Sequence, residues 1–156
     1  MPDEKYMRMA IEKAKEGLRL GQTPFAATIV KGDQVIACEH NVVWLTTDVT
    51  AHAEVTAIRR ACGKLSTVDL SGCVIYSTTE PCPMCFTACH WARLDRIVYG
   101  ADIADAKAAG FSELTVSNAQ LKREGGSPIE IVPGFLREEA VELFRLFAAQ
   151  PGARKY

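Results

Sequence analysis

The chain has 156 residues, 48% of them apolar, which suits one domain (1–156) with a sizeable core. Eighteen lysines and arginines almost balance nineteen aspartates and glutamates, so the net charge of −1 lacks the basic excess of duplex-binding domains. The opening MPDEKYMRMAIEKAKEGL is charged, and the apolar runs elsewhere are far too short for a membrane span, so a cytoplasmic protein with no membrane association is expected. Along the chain, Met7, Ala10, Ile11, Ala14 and Leu18 recur at helical spacing, and Gly21 follows as a stop. FAATIVKGDQVIACEHNV predicts two strands joined by a short turn at Gly32 and Asp33. TAHAEVTAIRRAC predicts a helix capped by Thr50 and ending at Gly63. CVIYSTT is a buried strand, and PMCFTACHWARL has helical spacing with Pro83 suited to the first turn. RIVYG and the shorter IEIV are further strands, separated by loop with short helical pieces over residues 101–128, and REEAVELFRLFAA is an amphipathic closing helix. Helices alternating with buried strands imply a mixed sheet covered on both faces, an α/β fold.

Six cysteines are present: Cys38, Cys62, Cys73, Cys82, Cys85 and Cys89. With a full core and no secretory signal, reduced thiols are expected, and Cys38, Cys62 and Cys73 read as small core residues. Cys82 and Cys85 differ, because TTEPCPMC places them three apart at a predicted helix start, each preceded by proline or its neighbour. A thiol-redox pair is one reading of that spacing, and half of a structural zinc site is another. No second Cys-X-X-Cys exists, and the three histidines are scattered at positions 40, 52 and 90.

The stretch His52-Ala53-Glu54 changes the balance. One histidine and two cysteines make three metal ligands, the number in a catalytic zinc site that keeps a fourth position for water. Helix N-termini favour the thiolates. Glu54 is not needed as a ligand and suits a base that takes the proton of a water acidified by the metal. H-x-E followed by P-C-x-x-C is the signature of zinc deaminases, and both halves are present.

On TAHAEVTAIRRAC, EPCPMC, HWAR, TPFAATIVKGD and DAKAAGFSEL, the chain resembles the cytidine-deaminase-like superfamily, in its nucleobase and tRNA-adenosine branch, and guanine deaminases in particular. The likeness covers most of the chain; the tail IEIVPGFLREEAVELFRLF is more similar to tRNA adenosine deaminases. The resemblance implies a three-layer α/β/α fold with a five-stranded mixed sheet, a bound zinc ion, a homodimer and a small-molecule nucleobase substrate, with nucleic acid not expected. It implies zinc on His52, Cys82 and Cys85, with Glu54 as proton shuttle. Asn41 would bond the base ring, although an asparagine there also serves as an ordinary turn cap. Phe25 and Trp91, by default packing aromatics, would flank the base, with Ala53 and Tyr156 completing the pocket. Glu113, which composition alone would leave on the surface, would be a second carboxylate at the substrate, with Asp102 and Asp105 as nearby alternatives. His90 points away from the ligands by its helical spacing, and Cys89 reads as core. The chain departs from the family's pattern at Ala26, where glycine is usual, at Thr79, where cysteine is common, and at Val49, where proline is common.

The expected function is hydrolytic conversion of guanine to xanthine and ammonia, a step of purine metabolism. Alternatives within the same chemistry are adenosine in tRNA, cytosine, a nucleoside such as guanosine, or an amino-triazine. A non-enzymatic zinc or redox module accounts for the two cysteines and leaves Glu54 without a role.

Overall fold

The computed structural model describes residues 1–156. Five strands and seven helices follow in the order α1 (Glu4–Arg19), β1 (Ala26–Lys31), β2 (Gln34–His40), α2 (Val43–Thr46), α3 (Ala53–Leu65), β3 (Cys73–Thr79), α4 (Pro83–Trp91), β4 (Arg96–Ala101), α5 (Ile103–Ala108), α6 (Asn118–Gly125), β5 (Glu130–Val132) and α7 (Arg137–Ala148). The sheet order is β2-β1-β3-β4-β5. β1 is antiparallel to β2 and to β3, whereas β3, β4 and β5 are parallel. The expected five-stranded mixed sheet is therefore present.

Alternation along the strands builds two cores. Ala27, Ile29, Ile75 and Ile97 face Ala53, Ala57, Phe86 and Cys89 of α3 and α4. Their strand neighbours Ala26, Val30, Tyr76 and Val98 face Met7, Ile11 and Ala14 of α1 and Leu143 of α7. Each large apolar side chain buried this way contributes about 1.5–3 kcal/mol relative to exposure. A third cluster of Leu18, Phe111, Phe144 and Phe147 closes the end of the sheet beside the segment after α5. Gly100 lets β4 and α7 meet there, since a Cβ at that position would collide with Ala140.

Two boundaries differ from the sequence expectation. Thr50 does not cap α3, because its hydroxyl and its N–H both donate to Asp48 Oδ1, at 2.6 and 2.8 Å. The N-cap is His52. Gly63 lies inside α3, which runs on to Leu65 and ends on Ser66 in the left-handed conformation. The one-turn α2 had no periodic signal. All six cysteines are free thiols, and no helix is long and apolar enough to cross a membrane.

Candidate active site

α3 and α4 lie side by side under the sheet, and each begins with a residue whose side chain forgoes the usual capping bond. His52 (φ −61°, ψ 159°) is the N-cap of α3, and Cys82 (φ −62°, ψ 167°) is the N-cap of α4. Extended backbone at both positions turns the two side chains toward each other, so that His52 Nδ1 and Cys82 Sγ stand 3.6 Å apart. Cys85, one turn into α4 and fully buried, brings its sulfur to the same place. The three donor atoms lie within 4.8 Å of one another. A tetrahedral zinc ion, bound at about 2.3 Å to sulfur and about 2.0 Å to nitrogen, sets such a pair roughly 3.6 Å apart. The donor set and its spacing therefore fit zinc.

The electrostatics agree with a thiolate site. Cys82 is pulled down to about 4, first by a hydrogen bond from the Cys85 thiol, with His52 adding to it against the cost of burial. Cys85 is correspondingly pushed well above the usual thiol range, by sharing that proton and by burial. Burial pulls His52 down, but the Cys82 thiolate and Glu54 outweigh it and leave it raised.

Two carboxyl groups face this cluster. Glu54, in the first turn of α3, is 6% exposed, and burial, assisted by the Cys82 charge, raises it above the usual carboxylate range. Ser77 Oγ lies 2.9 Å from Glu54 Oε1 and 2.7 Å from the Thr79 carbonyl. One hydroxyl proton cannot serve both acceptors at once. Glu113, on the segment between α5 and α6, is pushed up to about 7 by burial and then by the Cys82 charge. His52, Glu54, Cys82 and Glu113 line one cavity with Phe25, Thr79 and Glu80. Its volume of about 20 Å³ holds one water and no more.

The tail after α7 packs beside the cluster. Asn41, fully buried, accepts a bond from Val43 N at 3.0 Å and donates through Nδ2 to the Tyr156 hydroxyl at 2.5 Å. The Tyr156 ring lies 5.3 Å from the His52 ring and meets Phe111 edge-on at 6.1 Å. Trp44 clasps the tail just before it, donating from Nε1 to the Arg154 carbonyl at 3.1 Å while the guanidinium stacks on its ring at 4.3 Å. Phe25 packs edge-on against Phe111 and Phe144 and reaches the cavity with its remaining face. Ala53 is buried between His52 and Glu54 at the start of α3.

Two candidate residues stand elsewhere. Trp91 is 77% exposed at the far end of α4, roughly 13 Å along the helix from Cys82, so within this chain it does not flank the cavity. It borders a surface hollow of about 880 Å³, which contains none of the four chemical residues. Asp105 is also corrected: it forms a capping box with Asp102 and accepts from Arg137 at 2.7 and 2.8 Å, so its carboxylate serves the start of α5. His90 meets Ser127 at 3.0 Å and Cys89 lies in the core, away from ligation as expected. Sequence reasoning missed Ser77, Glu80 and Asn118. Only Glu80 left a signal, a charged residue closing the otherwise uncharged run CVIYSTT.

A mixed sheet that carries a His/Cys/Cys cluster and a buried carboxyl at the N-termini of two helices defines a class of metal-assisted hydrolases acting on small planar substrates. The MafB19-like deaminase family matches residues 1–139, and the chain belongs to that family. It is 45% identical to the guanine deaminase of Bacillus subtilis (strain 168) over 114 residues, 72% of this chain and 73% of that protein. It is 34% identical to the tRNA-specific adenosine deaminase of the same strain over 145 residues, 93% and 88% of the two chains. The solved guanine deaminase from Nitrosomonas europaea superposes with a TM-score of 0.88 at 30% identity, covering 96% of this chain and 86% of that one.

Proposed function

We propose that this hydrolytic deaminase converts guanine to xanthine and ammonia, with zinc held by His52, Cys82 and Cys85. The observation that carries the substrate is Glu113, a second carboxyl facing the ligand cluster across the same cavity as Glu54. Guanine presents N1–H and a 2-amino group on one edge, both donors, and a carboxylate is the acceptor that matches them. When bound, zinc supplies a water acidified toward neutrality. Glu54 takes a proton from that water, as its oxygen adds to C2, and delivers it to the ring nitrogen. A second proton goes by the same route to the exocyclic amine, which leaves as ammonia while the C2 carbonyl forms. Phe25 and Tyr156 hold the flat ring, and Asn41 bonds it once the Tyr156 hydroxyl has yielded the amide. Because the cavity has room for a water only, its walls part when the base enters. A tail clasped by Trp44 beside the cluster suits a free base better than a looped polynucleotide, as does the near-zero net charge.

The identity to tRNA adenosine deaminases over nearly the whole chain keeps adenosine in tRNA as the second reading. Ammonia release from guanine, guanosine, cytosine, an amino-triazine and a tRNA anticodon arm separates them, with guanine expected to lead in kcat/KM. Efficient, salt-sensitive deamination of the anticodon arm with none of guanine overturns the proposal. We also take residues 1–156 to act as one catalytic domain that pairs as a homodimer in the cytoplasm. Exposed Val68 and Trp91 offer that pair an apolar contact, and light scattering on the purified protein checks its mass.

A further inference from the structure

Glu113 makes no side-chain hydrogen bond of its own, and the connection that carries it has no regular structure from Phe111 to Val116. Only short local backbone bonds occur inside it, Glu113 N to Phe111 O at 2.9 Å and Val116 N to Leu114 O at 2.9 Å. Its position is therefore set by its flanks, and both flanking helices begin on one side chain. Glu80 is 6% exposed at the end of β3. Its Oε2 accepts from Ile103 N, the first residue of α5, at 3.2 Å. Its Oε1 accepts from Asn118 N, the first residue of α6, at 2.8 Å.

These N–H groups are ones a helix cannot satisfy internally, and the N-cap side chains are already engaged, Asp102 with Asp105 N and Ser117 with Gln120 N. A buried N–H without an acceptor is costly, so one carboxylate joins the two helix starts. Glu80 is itself fixed, since its own N–H donates to Ala101 O at 2.7 Å. Asn118 adds a second tie, donating from Nδ2 to the Pro81 carbonyl at 2.6 Å, directly before Cys82. The ligand turn and the Glu113 segment are thus held to each other through Glu80 and Asn118.

We propose that Glu80 is a positioning residue that fixes Glu113 over the ligand cluster, an inference that rests on the substrate role given to Glu113 above. Glu80 borders the cavity, but both of its carboxylate oxygens are taken up by Ile103 N and Asn118 N. It acts by locking both helices that bracket Glu113. Glutamine at 80 keeps one acceptor and turns an NH₂ against a backbone N–H, so one helix start is released.

The test is a double-mutant cycle in kcat/KM for guanine on the zinc-loaded protein, with Glu80→Gln, Glu113→Gln and the pair. Glu80→Gln alone is expected to lower kcat/KM by roughly five- to hundredfold, the loss that a mispaired buried group brings, with zinc content unchanged. In the Glu113→Gln background the same change is expected to cost less than about threefold, because the group it positions is gone. A purely structural loss would carry through both backgrounds. If Glu80→Gln costs as much with Gln at 113 as with Glu, the positioning role is overturned while the substrate role of Glu113 stands. If Glu113→Gln alone leaves kcat/KM at the wild-type value, the reading of Glu113 fails and the positioning inference falls with it. Should Glu80→Gln not fold, Asn118→Ala, which keeps the backbone N–H and removes only the Pro81 tie, enters the same cycle with the same expected non-additivity.

Discussion

Replacing Glu54 by glutamine separates proton transfer from every other role this position has. The side chain is 6% exposed at the start of α3, with Ser77 Oγ 2.9 Å from Oε1. Glutamine has the same length and an amide oxygen that accepts from Ser77, so the fold and the His/Cys/Cys cluster should persist. Being neutral, it also relieves the cost of burying a carboxylate, the cause of the raised Glu54 pKa. Thermal stability of Glu54→Gln should therefore equal or exceed that of the parent at pH 8. What glutamine cannot do is take a proton from water and return it. General acid–base catalysis contributes ~10²–10⁴-fold, about 2.7–5.5 kcal/mol of barrier, and the loss should fall on kcat while KM stays within a few-fold. Steady-state ammonia release, with native mass spectrometry for zinc and a circular-dichroism melt, measures all three quantities on one preparation. A variant that keeps zinc and turns over guanine within a few-fold of the parent would refute the proton-carrier role.

Chelation should remove about one zinc per chain and abolish deamination, with activity returning as zinc is restored; a metal-free preparation with full turnover contradicts the ligand assignment. In metal-free protein the Glu113 carboxyl sits at about 7 against an ordinary value of 4.5. The folded chain then keeps a proton that the unfolded chain has lost between those values, so this residue's contribution to stability falls as pH rises from about 4.5 to about 7 and levels off above. The Tm of metal-free Glu113→Gln relative to wild type should accordingly rise from pH 5 to pH 8, and a flat difference would count against the raised pKa. Gly100→Ala should lower Tm sharply, because the new Cβ strikes Ala140 of α7 and overpacking typically costs ~1–3 kcal/mol; an unchanged melt would show that α7 gives way freely.

The sheet was legible because each strand announces itself by apolar alternation or by a continuous apolar run. Ile29, Ile75 and Ile97 fall on one face, and Val30, Tyr76 and Val98 on the other, as a sheet covered on both faces requires. The His/Cys/Cys cluster was legible because two residues separate Cys82 from Cys85 and both motifs sit where a helix starts. The expectations that failed depended on direction or on competition for a partner. Helical spacing marks Trp91 as part of α4 but not how far that helix carries it from Cys82. Thr50 and Asp105 are competent in the roles expected of them, yet Asp48 and Arg137 engage them first. Glu80 and Asn118 could not be paired from sequence, since their bond spans 38 positions.

The placement of His52 and Cys82 at two N-caps carries a cost that metal binding would offset. A capping side chain is typically worth ~1 kcal/mol, and neither His52 nor Cys82 makes that bond. At α4 the loss is softened, because the Cys82 thiolate is a negative charge at the positive end of a helix. At α3 the direction is unfavourable: burial lowers His52, but the Cys82 thiolate and Glu54 outweigh it and shift it toward the charged form, which a helix N-terminus disfavours. Imidazole binds a metal only as the neutral base, and thiols bind only as thiolates. Zinc uptake would therefore hold His52 in its neutral form and free the proton that Cys85 now donates to Cys82. At the starts of α3 and α4 the positions that forgo a capping bond are thus ones where a metal has something to restore, which ties these two helix N-termini to one chemical purpose.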